Sequence, residues 1–184
     1  MNIWGLPDSA RIGGVTYPIH ADFRDILEIF RYLDDPDQPE FVRWQIALAL
    51  FYEGPVPAEH TREAIEFFTD FISCGESGGR PGPKLLDWDQ DAQVIIADIN
   101  KVAGTEVRSL PFLHWWTFLS FFHAIGEGQL STLISIREKL RTGKKLEKWE
   151  QEYYRKNKSR VDLKKRYTPE DLAEQERLKK LLGE

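Results

Sequence analysis

The sequence contains a single cysteine, Cys74, among 184 residues. A lone thiol makes neither an internal disulfide nor a cysteine-rich zinc site, which argues against a disulfide-stapled scaffold and a classical zinc finger. Long apolar runs are also missing. The longest, Phe112 to Ile125, is broken by His114, Thr117, Ser120 and His123, and it falls short of the roughly 20 residues a membrane span needs. Met1 to Asp8 reaches a charge without an apolar stretch, so no secretory signal is expected. No nucleophile elbow, His-Glu-x-x-His pair, dinucleotide fingerprint or internal repeat is present. The expectation is a non-enzymatic, mainly helical protein that needs no cofactor and no metal.

What the chain does contain is ordinary globular composition, 41% hydrophobic and 30% charged. Its 6 Trp, 6 Tyr and 11 Phe can fill a substantial core. The net charge of −5 hides an asymmetry: residues 137–184 hold 16 basic and 10 acidic side chains, while residues 1–136 hold 9 and 20. Such a split points to an acidic body (1–143) with an N-terminal hairpin and a basic helical arm (144–184). The acidic body argues against nucleic-acid binding over the whole surface, because phosphate attraction grows with net basic contacts.

Periodicity places the elements. Ser9 to Ile12 and Val15 to Ile19 flank Gly13-Gly14, a pair suited to a tight hairpin turn. Asp22 is a helix cap, and Phe23, Ile26, Leu27, Phe30 and Leu33 follow on one face. Phe41, Trp44, Leu48 and Phe51 form a second stripe, and Ala64, Ile65, Phe68, Phe71 and Ile72 a third. Residues 75–83, with four glycines and two prolines, read as a loop. Asp87 with Gln90 forms a capping box ahead of Trp88, Ala92, Ile95, Ile99 and Val102. Pro111 then opens a helix over 112–125, whose polar residues share no single face, so burial nearly all round is expected. Leu130, Leu133, Ile134 and Leu140 mark a shorter helix. Leu146, Trp149 and Tyr153 make a thin stripe in the arm, and Thr168-Pro169-Glu170-Asp171 starts a last helix.

Several half-motifs fail on inspection. Asp87, Asp89, Asp91 and Asp98 echo a calcium loop, but Ala92 stands where that loop needs glycine and the helical seam runs through it. Gly75, Gly78, Gly79 and Gly82 precede Lys84, yet neither the order nor the preceding helix suits a phosphate loop. His114 and His123, nine residues apart, are poor joint metal ligands. Trp115 and Trp116 leave a helix about 100° apart, so one can face the core and the other a partner. The candidate partner-binding residues are Phe112, Trp115, Trp116, Trp149 and Tyr153.

Gly14-Val15-Thr16-Tyr17-Pro18-Ile19, then Asp22-Phe23-Arg24, carry a resemblance. Leu85-Leu86-Asp87-Trp88-Asp89-Gln90-Asp91-Ala92, Leu113-His114-Trp115-Trp116-Thr117-Phe118 and the stretch with Gln151, Tyr153, Tyr154, Arg155 and Lys156 extend it. In this order the chain resembles small proteins of tailed phages and prophages of Gram-positive bacteria, encoded just before the tape-measure gene. The likeness runs to about Arg160 and does not cover the segment from Thr168 onward.

The resemblance implies a non-catalytic tail assembly chaperone that keeps the tape-measure protein soluble until tail-tube protein replaces it. It implies absence from the virion; an elongated client also calls for self-association along it, and the composition for residence in the host cytoplasm. No catalytic residues come with it. The rival readings are a structural virion component (tail completion or head–tail joining), a nucleic-acid-binding regulator acting through the basic arm, and an enzyme with scattered residues.

Overall fold

The computed structural model describes residues 4–75 and 82–164, together with Ala173, Glu174 and Arg177. The chain is mainly helical with one small antiparallel hairpin, as its periodicity predicts. Its two main described stretches form two compact units, residues 4–75 and residues 82–164.

In the first unit, β1 (Ser9–Ile12) pairs with β2 (Val15–Pro18) around Gly13 and Gly14, both at positive φ. Two four-residue strands are too short to stand alone, and the hairpin is held from two sides. Ile19 bridges to Tyr52, with Glu53 N–H donating to Pro18 and His20 N–H to Phe51. At the turn, Gly13 N–H donates to the Glu63 carboxylate at 2.9 Å. A β-carbon at Gly13 would push the His60 ring aside, and the φ of 56° is one that L side chains rarely adopt, so the turn favours glycine chiefly for its dihedral.

Helix α1 (Phe23–Leu33) starts where Asp22 accepts from the Arg24 N–H, satisfying one of the donors that a helix start leaves free. Its buried face is Phe23, Ile26 and Ile29; Leu27, Phe30 and Leu33 of the expected stripe are only half-buried. Helices α2 (Glu40–Phe51) and α3 (Thr61–Ile72) follow in this unit. Phe51 is the hub of its core, with ring centroids 4.9 Å from Phe68 and Tyr52 and 5.2 Å from Phe71. The Tyr52 hydroxyl donates to Ala64, so this buried ring carries no orphaned donor. The α2 stripe is buried only in its C-terminal half. Trp44 packs edge-on to Phe68, whereas Phe41, one turn earlier, is 66% exposed.

In the second unit, Asp87 accepts from the N–H groups of Asp89 and Gln90, opening a turn that leads into α4 (Ala92–Ala103). The reciprocal half of the expected capping box falls to Asp91, which takes the Asp87 N–H, while Gln90 reaches the chain at 160–164. Val94, Ile95, Ile96 and Ile99 of α4 are buried, and Gly104 at φ 68° ends it.

Helix α5 (Trp115–His123) begins three residues later than expected, because the His114 side chain caps it: Nδ1 accepts from the Trp116 N–H. Pro111 and Phe112 therefore precede the helix. Nor is α5 buried all round, since Ser120 and His123 are exposed in its C-terminal half. Helix α6 (Gln129–Arg141) follows, buried at Leu130, Leu133 and Ile136, with Leu140 exposed.

The expected arm spans residues 144–184. In the structure, residues 144–164 belong to the second unit. Helices α7 (Lys148–Lys156) and α8 (Lys158–Val161) return to α6, where Leu146, Tyr153, Tyr154 and Val161 pack with Leu133 and Ile136. The Thr168 helix start, and the leucines from Leu172 on, lie outside the described residues.

Candidate functional site

The acids that echo a calcium loop each have a structural task. Asp87 caps its turn. Asp98, buried on α4, accepts from the Leu130 N–H at 2.9 Å and so caps α6 from another helix. Asp91 sits at the centre of a buried polar clasp. Arg137 of α6 donates both terminal nitrogens to it, at 2.6 and 2.9 Å, with side-chain exposures of 4% and 0%. The same guanidinium donates to the carbonyls of Leu85, Arg160 and Val161. All five of its N–H donors are used, the planar fork that lysine lacks. Gln90 adds bonds to the carbonyls of Arg160 and Asp162 and accepts from the Lys164 N–H. The clasp thus fastens residues 160–164 by their backbone.

A second ion pair fastens α7. Glu150 is buried, accepts from Lys139 of α6 at 2.6 Å and from the N–H of Glu147 at its own helix start. The Lys139 bond, with that backbone donor, holds the Glu150 carboxyl below the usual carboxylate range. Tyr154 donates to Asp162, which raises the tyrosine's pKa.

Of the candidate partner-binding residues, Trp115 and Trp116 are buried, at 1% and 7% exposure. Trp115 stacks on Phe118 at 5.6 Å and meets Trp88 edge-on at 6.0 Å. The 100° between the two tryptophans is spent on two buried directions, so neither offers a face to a partner, contrary to the expectation. Tyr153 is half-buried on the α6 cluster. Phe112 and Trp149 do lie exposed, at 56% and 52%. The structure does not gather the five residues into one patch: Phe112 precedes α5, and Trp149 sits on α7.

Sequence reasoning passed over a more concentrated apolar surface, on the first unit. Phe41 and Trp44 of α2 and Ile65 of α3 line an open groove of about 420 Å³, with Glu40, Gln45 and Thr61 at its edges. The signal was legible as two stripes, but their meeting was not. A smaller open hollow of about 170 Å³ is lined by His20, Asp25, Glu28 and Leu50. Burial pushes the Asp25 carboxyl up, and the charges of Asp22 and Glu28 add to the rise while His20 opposes it. Among the described residues, no group of three His, Cys, Asp or Glu side chains is placed to hold a metal ion. Among them, no helix is long and apolar enough to cross a membrane.

No curated protein and no solved structure matches the chain. A family model does, that of the Bacteriophage Gp15 protein, over residues 5–163. That span takes in the hairpin, both helical cores, the Arg137 clasp and all but the last residue of the 160–164 segment that the clasp fastens. The chain belongs to the Bacteriophage Gp15 protein family.

Proposed function

We propose that the protein is a tail assembly chaperone, binding the phage tape-measure protein during tail morphogenesis without catalysing a reaction. The observation that carries this reading is the distribution of large exposed apolar side chains. Phe41, Phe112 and Trp149 are large apolar side chains left in water on separate stretches of the chain, and Phe41 adjoins the apolar groove of α2 and α3. Scattered anchors of this kind suit many weak, releasable contacts with an elongated client. Membership in a bacteriophage family supports a role in phage biology, and the resemblance to products encoded beside the tape-measure gene is the ground for choosing that client. The protein works in the host cytoplasm and leaves before the virion is complete.

Co-expression with the tape-measure product of the same phage tests the reading. The expected result is a rise in soluble tape-measure protein that is lost with Phe41→Ala/Phe112→Ala/Trp149→Ala. No rise in the presence of the wild-type chain would overturn it. Mass spectrometry of purified particles separates the reading from a structural virion component, since a chaperone is absent from them.

A further inference from the structure

We infer that the α2–α3 groove of one copy receives the Trp149 face of α7 from a second copy, in a head-to-tail contact. Three features on these surfaces match. The first is charge. Residues 4–75 carry 13 acidic side chains against five arginines and no lysine, a balance of −8, whereas residues 137–164 carry a balance of +6. Opposite surface fields of this kind steer two copies together in one orientation and oppose like-to-like pairing.

The second is shape and polarity. The groove is apolar at Phe41, Trp44 and Ile65 and, at about 420 Å³, has room for an aromatic side chain. Trp149 is the large exposed aromatic of the basic segment, and its indole Nε1–H already donates to its own Glu147 at 3.0 Å. Its ring can therefore enter an apolar groove without leaving an orphaned donor, which is the usual cost of burying tryptophan. The third is the rim. Glu40 lines the groove, and Lys148 adjoins Trp149 at the start of α7; among the described residues neither makes an ion pair.

The two patches are different surfaces, so the contact is heterologous. Each copy keeps one free groove and one free Trp149, and association continues as an open chain unless the rotation closes a ring. The contact needs no client and stands or falls independently of the chaperone reading.

Sedimentation velocity on the full-length protein tests it over a concentration series, at about 0.01 and 1 M salt, where the screening length falls from about 30 to 3 Å. Wild-type protein is expected to grow in mass with concentration at low salt and to dissociate at high salt. Phe41→Ala and Trp149→Ala each alter an exposed side chain, and each alone is expected to weaken association at least about tenfold. Their mixture is diagnostic: the intact Trp149 of the first variant fits the intact groove of the second, giving a dimer that grows no further. A wild-type monomer at every concentration overturns the inference, as does either variant assembling like wild type or a mixture that stays monomeric.

Discussion

Replacing Arg137 by methionine removes a buried cation while keeping much of its length. The carboxylate of Asp91 loses two charge-assisted bonds and keeps only the N–H of Asp87, and the carbonyls of Leu85, Arg160 and Val161 lose a donor each. Breaking a buried pair from one side costs about 3–5 kcal/mol, because the remaining charge is left without compensation in a poorly hydrated place. That is a large share of the roughly 5–15 kcal/mol that holds a typical domain together.

With a urea m value of about 2 kcal/mol/M, the midpoint of unfolding falls by about 2 M. Tryptophan fluorescence follows the transition. Amide exchange across 148–161 is expected to accelerate, since the clasp fastens the end of that segment. The double variant Arg137→Met/Asp91→Asn keeps an acceptor for the Asp87 N–H but no orphaned charge. It is expected to recover about 1–2 kcal/mol of the loss. A cost below about 1 kcal/mol for the single variant, or no recovery in the double, would refute the reasoning that an uncompensated buried charge dominates.

Two further outcomes follow from burial and from ionisation. Trp115→Ala is expected to cost about 3–5 kcal/mol by leaving a cavity beside Phe118 and Trp88, while Phe112→Ala stays within about 0.5 kcal/mol; equal costs in urea melts would contradict the assigned core. The Arg108 side chain and backbone N–H, with Asn100, hold the Glu106 carboxyl at about 2. Its contribution is complete above the unfolded carboxylate value and is lost as pH falls through about 2. Carboxyl chemical shifts in native protein are expected to show that midpoint, and Arg108→Gln to move it up toward the ordinary range; an ordinary midpoint in the wild type would oppose the assignment.

The elements that local rules govern were legible in advance. The Gly13-Gly14 turn and the Asp22 cap are each decided within a few residues by dihedral freedom or a nearby oxygen. The helix at 115 was misjudged because proline at 111 is a recognised start, whereas a histidine side chain acting as the cap is an uncommon solution. Ile29 was missed since the apolar stripe of α1 is wide enough to roll, and only the packed neighbours fix which edge turns inward. Asp91 and Asp98 were weighed as half of a cation loop; their partners, Arg137 and the Leu130 N–H, lie 46 and 32 residues away. No spacing rule connects them.

Period, capping and charge counts therefore determined a helical chain with a small hairpin and an electrostatic division along its length. Only the tertiary structure decided which aromatics stay in water. Trp115 and Trp149 are chemically the same side chain on equally helical stretches, and burial depends on what lies across from each. It also decided that residues 144–164 are fastened to α6. A guanidinium grips backbone carbonyls of any sequence, so the chain that supplies them leaves no trace in its side chains.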